Sequence, residues 1–220
     1  MGGRLLAIGD IHGCSVALEA LLEAIEPGKE DTVVTLGDYI DRGPDSRGVI
    51  DRLIALAGQT KLVPLQGNHE QMMLDVLQGR TTLATWTPHG GLATLNSFGF
   101  SGDRNFLTAE QQAFFDSLLD YFETDTHFFV HANYDPQLPL NEQSIEMLRW
   151  RSLRDSIPEP HISGRVAVVG HTANPEGGIF DLGHLIGIDT YCYGGGLLTA
   201  MEVGTGRFWQ ASQDGQVAVA

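Results

Sequence analysis

The chain has 220 residues, 42% of them hydrophobic and 19% charged, which excludes a disordered composition and suits one domain spanning residues 1–220. Its 28 acidic residues against 13 basic ones give a formal net charge of −15, which argues against a nucleic-acid backbone as partner, although divalent cations would cancel negative charge where an anion docks. No apolar run approaches a membrane span, and Met1–Ala7 is too short for a secretory signal, so a cytoplasmic protein off the membrane is expected, with Cys14 and Cys192 as free thiols.

Strand and helix signals alternate through the first part of the chain. Leu5–Ile8 is a short apolar run suited to a buried strand, and Ser15 is read as the cap of a helix carrying Leu18, Leu21, Leu22 and Ile25 at helical spacing. Thr32–Leu36 is the next β-branched run, followed by a helix with Val49, Ile50, Leu53 and Leu56. Leu62–Leu65 reads as a third strand in which Pro64 weakens regularity. Met72–Leu77 has helical spacing, Arg80–Phe106 reads as irregular, and Thr108–Tyr121 reads as helix again. Thr126–Val130 and Arg165–Val169 are further buried-strand candidates, and Gly-broken runs from Ile179 to Gln210 predict antiparallel strands with tight turns. The whole predicts an α/β protein with a mixed sheet, or two packed sheets, and helices outside.

The chemistry is concentrated in the residues just past each apolar run. Gly9-Asp10-Ile11-His12-Gly13 comes after Ile8, and Gly37-Asp38 with Asp41-Arg42-Gly43 after Leu36. Gly67-Asn68-His69-Glu70 comes after Leu65, His131 after Val130, and Gly170-His171 after Val169. Ligands gather beyond the carboxyl ends of strands in such sheets, so these groups are expected to converge. Each has a plain alternative as a turn former, cap or satisfied histidine, but five independent strand ends all carrying such groups argue for a site. Asp10, His12, Asp38, Asn68, His131 and His171 are all oxygen and nitrogen donors, suited to two divalent cations such as Mn²⁺, Fe²⁺, Zn²⁺ or Mg²⁺.

The three early blocks, in this order and spacing, resemble the signature blocks of the phosphoprotein phosphatase family of calcineurin-like metallophosphoesterases. Val130-His131-Ala132, Val169-Gly170-His171-Thr172 and Ile188-Asp189-Thr190 with Gly194-Gly195 resemble its later blocks, and Trp86–Gly99 resembles its compact bacterial members, including the phage-lambda type. The resemblance implies a two-sheet α/β sandwich flanked by helices, with two metals at the strand ends, Mn²⁺ foremost. It assigns Asp10 and His12 to one metal, Asn68, His131 and His171 to the other, and Asp38 to both. It makes His69 the general acid, Asp41 its orienting carboxylate and Arg42 a phosphate ligand, with Arg151 as the second phosphate ligand and Arg149 as its competitor. Asn133 stands where the family has Gly, and Tyr191-Cys192-Tyr193 replaces smaller residues, which predicts a bulkier rim.

The implied activity is hydrolysis of phosphomonoesters on serine and threonine of phosphoprotein or phosphopeptide substrates, extending to phosphotyrosine, by a water activated between two metals. The rival is a nucleotide hydrolase resembling the symmetrical dinucleoside tetraphosphatases, in which the second block tends to lose the Asp of Asp-Arg-Gly and the third tends to end in Asp. Asp41 and Glu70 favour the protein phosphatase branch. A member without catalysis that serves as a binding module is disfavoured because every proposed ligand is present. Trp150 and Trp209 are read as packing and Trp86 as packing or pocket wall. His89, His127, His161 and His184 are read as surface or satisfied histidines, and Cys14 as a buried thiol at a helix start.

Overall fold

The computed structural model describes residues 2–219. Strand β1 (Leu5–Ile8) leads into helix α1 (Ser15–Ile25), β2 (Thr32–Thr35) into α2 (Ser46–Ala57), and β3 (Lys61–Pro64) into α3 (Asn68–Leu77). Then come α4 (Leu83–Trp86), α5 (Gly91–Ser97), α6 (Ala109–Asp116), β4 (Tyr121–Glu123), β5 (His127–Val130) and α7 (Ile145–Arg149). The remaining strands are β6 (Val166–Val169), β7 (Phe180–Asp181), β8 (Leu185–Gly187), β9 (Leu197–Glu202), β10 (Phe208–Ser212) and β11 (Val217–Val219).

Two sheets result, one in the order β11-β10-β9-β1-β2-β3 and one in the order β4-β5-β6-β8-β7. Strands β1, β2 and β3 pair in parallel, as do β5, β6 and β8, so their carboxyl ends lie side by side within each sheet. Alternation along each strand divides its residues between two cores. Leu6, Ile8 and Val33 pack with the helices, against Leu18, Leu21, Ile50 and Leu53. Ala7, Val34 and Val63 turn the other way and join Phe129, Val168 and Ile188 from the second sheet. Phe128, Val130, Ala167 and Val169 are covered by Tyr134, Leu140, Leu148 and Leu153. Both faces of these strands are therefore buried, which is why they read as continuous apolar runs. The expected two-sheet α/β architecture flanked by helices is observed.

Four local expectations change. Ser15 is the first residue of α1; Cys14 occupies the cap position without a side-chain capping bond, while Asp45 caps α2 by accepting from Gly48 N–H. Helix α3 begins at Asn68, inside the third signature block. Residues 80–106 hold α4, a 3₁₀ turn and α5, helices too short to show periodicity. The helix expected over 108–121 ends at Asp116, because Leu119 bridges to Leu65 and Tyr121 opens β4. Pro64 closes β3 on the sheet edge, where its missing N–H removes no ladder bond. No described helix is long and apolar enough to cross a membrane.

Candidate metal centre

Five strand ends deliver the site. The turns after them force unusual backbone. Among described non-glycine residues with positive φ, His12 (44°), Asp38 (51°), Asp41 (73°), Arg42 (68°) and His171 (60°) all belong to the site, and only Glu26 and Tyr191 fall outside that set. Conformations of this kind persist where surrounding contacts over-determine them, and they cluster at functional sites. Gly37 is needed between β2 and Asp38: its φ is 102°, and a Cβ would stand 2.6 Å from Gly67 N and 2.9 Å from His131 Nδ1.

Asp38 is the centre of the arrangement. Its Oδ2 lies 3.4 Å from His12 Nε2, and its Oδ1 lies 3.5 Å from His131 Nε2. Two sets of donor atoms within 4.8 Å of one another meet there, His12-Asp38-His69 and Asp38-His131-His171, and Asp38 is common to both. Asn68 Oδ1 is 3.1 Å from His131 Nε2 and 3.1 Å from His171 Nδ1, which puts it with the second set. Asp10 stands beside these sets and accepts His171 N–H at 3.1 and 3.0 Å.

His12, His131 and His171 are each held by a backbone carbonyl on one ring nitrogen. His12 Nδ1 bonds Ile40 O at 2.8 Å, His131 Nδ1 bonds Leu36 O at 2.7 Å, and His171 Nε2 bonds Trp150 O at 3.1 Å. Such bonds fix tautomer and ring orientation and leave a lone pair facing the cluster. Burial holds His12 and His131 well below the usual histidine range, with repulsion from His69 and His171 adding respectively, and it pushes His171 down to about 4. The rings are therefore neutral, as metal ligands must be. Asp10 and Asp38 are pushed well above the carboxylate range, first by burial and then by the charges of Asp189 and Glu70 respectively. Neutral imidazoles around crowded, buried carboxylates form a donor set that divalent cations would complete, so the residues fit a two-metal centre.

Around the cluster, His69 Nδ1 lies 2.7 Å from Asp41 Oδ2, both groups fully buried, and His69 Nε2 faces Asp38 at 3.9 Å. Burial raises Asp41 to about 7, against the lowering effect of donors from Thr94 and Trp86; burial and then Arg42 lower His69. Trp86, read from sequence as packing or pocket wall, donates Nε1–H to Asp41 Oδ2 at 2.7 Å. Glu70 accepts N–H bonds from Asp38, Tyr39, Ile40 and Gly67, a second role absent from the sequence reading. The Arg42 guanidinium reaches over the centre, its Nη1 3.3 Å from His12 Nε2 and its Cζ 4.5 Å from the Tyr193 ring centroid. Tyr193 also packs edge-on against His12 at 4.8 Å, which gives the expected bulky rim.

At the end of α7, Arg149 is committed to Asp120 and Gln71, whereas Arg151, two residues on, is exposed with no side-chain hydrogen bond among the described residues. Arg154, which the sequence reading passed over, donates to Ala173 O and is among the charges acting on His171 and Asp189. Asn133 fixes the loop that lacks the family's Gly, accepting Tyr134 N–H at 2.8 Å and donating to Ser156 O at 3.0 Å. His127, His161 and His184 are satisfied by Thr126, by Ser163 with Leu138 O, and by Pro158 O. Exposed His89 contributes to the field on Asp41 and His69. Cys14 and Cys192 are buried free thiols.

Known proteins place this geometry. Serine/threonine-protein phosphatase 1 of Salmonella typhimurium (strain LT2) is 30% identical over 212 residues, covering 89% of this chain and 90% of that protein. A symmetrical bis(5'-nucleosyl)-tetraphosphatase of Acidovorax sp. (strain JS42) is 37% identical over 109 residues, covering 40% of this chain and only 38% of that protein. Among solved structures, a protein described as a candidate diadenosine tetraphosphatase superposes with a TM-score of 0.72 at 24% identity, covering 100% of this chain and 95% of that one. The cold-active protein-tyrosine phosphatase of a Shewanella species superposes at 0.70 and 17% identity, covering 100% and 80%. These two structures share the fold. The family model of calcineurin-like phosphoesterases matches residues 3–214, and the chain belongs to that family of metal-dependent phosphoesterases.

Proposed function

We propose that the chain is a serine/threonine protein phosphatase, acting on phosphopeptide segments and extending to phosphotyrosine. Two divalent ions, Mn²⁺ foremost, would be held by Asp10 and His12 on one side and by Asn68, His131 and His171 on the other, with Asp38 shared. Such ions would neutralise the phosphate dianion and would lower the pKa of a water from about 15.7 towards 7.

The chain's own residues supply the rest. Arg42 is an exposed residue anchored at its backbone, where its N–H meets Gly90 O at 3.3 Å; its planar fork suits two phosphate oxygens. Arg151 is the second phosphate cation in this reading, and Arg154 is its competitor because its charge acts on His171. Alanine substitution separates them, since loss of the true ligand raises KM for the phosphoester. His69 Nε2 delivers the proton to the departing alkoxide, while Asp41 holds Nδ1 at 2.7 Å and fixes the ring. Burial is the first cause that lowers His69 and the Arg42 charge the second; a phosphate dianion paired with Arg42 would offset the second.

The observation that carries the protein-substrate half is the extent of likeness: the serine/threonine phosphatase relative is matched along 90% of its length. A nucleotide substrate is favoured by one specific observation, the 37% identity to a tetraphosphatase over a shorter stretch. The test compares kcat/KM of the Mn²⁺-loaded enzyme for a phosphoserine peptide and for diadenosine tetraphosphate. Higher kcat/KM for the peptide supports the proposal; higher kcat/KM for the dinucleotide overturns it and leaves the phosphoesterase chemistry standing.

A further inference from the structure

The segment 83–97 holds none of the proposed metal ligands, yet it presses three polar groups against Asp41 and Arg42. Trp86 is completely buried and donates Nε1–H to Asp41 Oδ2 at 2.7 Å, the same oxygen that accepts from His69 Nδ1. Thr94 Oγ1 donates to Asp41 Oδ1 at 2.6 Å and accepts Asp41 N–H at 2.8 Å, and it lies 3.0 Å from Ser46 Oγ. Gly90 O accepts Arg42 N–H at 3.3 Å. Gly90 itself has a φ of 110°, and a Cβ there would stand 2.7 Å from Arg42 N.

We infer that Trp86 and Thr94 are positioning residues for proton donation, holding the two oxygens of the Asp41 carboxylate so that Nε2 of His69 stays aimed at the leaving group. The inference rests on the reading of His69 as general acid.

Geometry separates this from simple packing. A buried tryptophan needs one acceptor for its N–H, and any carbonyl would serve. Here the acceptor is the carboxylate hydrogen-bonded to the His69 ring. Thr94 takes the other oxygen, so neither is free to rotate. With donors on both oxygens the carboxylate plane is fixed, and the direction of its lone pair towards His69 Nδ1 is fixed with it. Asp41 and Arg42 are consecutive residues in the left-handed region, at 73° and 68°. For non-glycine residues this conformation costs about 1–3 kcal/mol each, so it needs outside contacts to persist. The bonds from Thr94, Ser46 and Gly90 to the two N–H groups are such contacts. Short helices α4 and α5, joined by the turn at Thr87–His89, bring Trp86 and Thr94 onto one carboxylate.

A residue acting through a general acid leaves a signature that packing does not. Expulsion of p-nitrophenolate needs little proton donation, whereas expulsion of an alkyl alkoxide needs it strongly; general acid catalysis is worth about 10²–10⁴-fold in rate. The measurement is the ratio of kcat on a phosphoserine peptide to kcat on p-nitrophenyl phosphate, for Mn²⁺-loaded wild type, Trp86→Phe, Thr94→Val, Thr94→Ser and His69→Asn. The inference predicts that Trp86→Phe and Thr94→Val lower this ratio by about tenfold or more, and that Thr94→Ser restores it. Should Trp86→Phe fail to fold, the Thr94 pair carries the same test. If both variants lose the two activities in equal proportion while His69→Asn lowers the ratio, Trp86 and Thr94 only pack and the inference is overturned. If His69→Asn leaves the ratio unchanged, the general-acid reading falls and the inference with it.

Discussion

Replacing Glu70 by Gln keeps the volume and shape of a fully buried side chain and changes one oxygen into an NH₂ group. In the native chain Oε1 accepts Tyr39 N–H at 2.8 Å and Ile40 N–H at 3.4 Å, and Oε2 accepts Asp38 N–H at 2.9 Å and Gly67 N–H at 3.0 Å. Whichever way the amide turns, one of these pairs of N–H groups loses its acceptor and faces another donor. A buried donor left unpaired costs about 1–3 kcal/mol, so the substitution is expected to cost about 3 kcal/mol. For a chain of this size that lowers Tm by roughly 6–12 °C, taking about 2–4 °C per kcal/mol. Burial pushes Glu70 up to about 7 against the pull of the N–H donors, so the thermal melts belong well above that pH, where it is ionised. The same N–H groups place Asp38, so Mn²⁺ affinity should fall in parallel, read by titration of the metal-stripped protein. A Tm within about 2 °C of wild type, with unchanged Mn²⁺ affinity, would refute the view that Glu70 latches the Asp38 loop to α3.

Two further outcomes concern side chains that are not proposed metal ligands. Burial alone would raise Asp31, but Arg4 and the Gly28 N–H hold it below the ordinary carboxylate value of 3.8. Its contribution to stability is therefore complete above about pH 3.9, the unfolded value, and disappears as pH falls through the lower folded value. Asp31→Asn should be less stable than wild type in urea at neutral pH, and the gap should close in acid; a gap constant with pH would contradict the pairing. Tyr39→Phe removes a hydroxyl that donates to Leu65 O at 2.6 Å and lies 2.9 Å from Thr35 Oγ1, and should cost about 1–2 kcal/mol in urea unfolding. An unchanged unfolding midpoint would show that the hydroxyl bond adds nothing net.

The strand ends were legible because both faces of β1, β2, β5 and β6 are buried, giving apolar runs that stop where Asp10, Asp38, His131 and His171 begin. The convergence of these groups comes from parallel pairing of neighbouring strands, which such runs already imply. Trp86 and Thr94 were not legible as partners of Asp41. They lie 45 and 53 residues away along the chain, and helices of 4 and 7 residues show no periodicity to place them. Glu70 was noted for its identity at a family block, but its backbone partners at Asp38 and Tyr39 belong to another strand end and exist only after β2 and β3 pair. The helix stop at Asp116 was overridden by tertiary pairing, since Leu119 bridges to Leu65 at the end of β3. Ser15 misled because a serine at a helix start resembles a cap, while the chain turns one residue earlier.

The most direct test of the metal centre counts Mn²⁺ bound per chain by equilibrium dialysis and tracks p-nitrophenyl phosphate turnover as metal is returned to stripped protein, for wild type and Asp38→Asn. The geometry predicts two ions per wild-type chain with turnover restored as the second binds, and loss of both the second ion and turnover in Asp38→Asn. A single ion sufficient for full turnover, or an Asp38→Asn variant that matches wild type, would contradict a two-metal centre joined at Asp38.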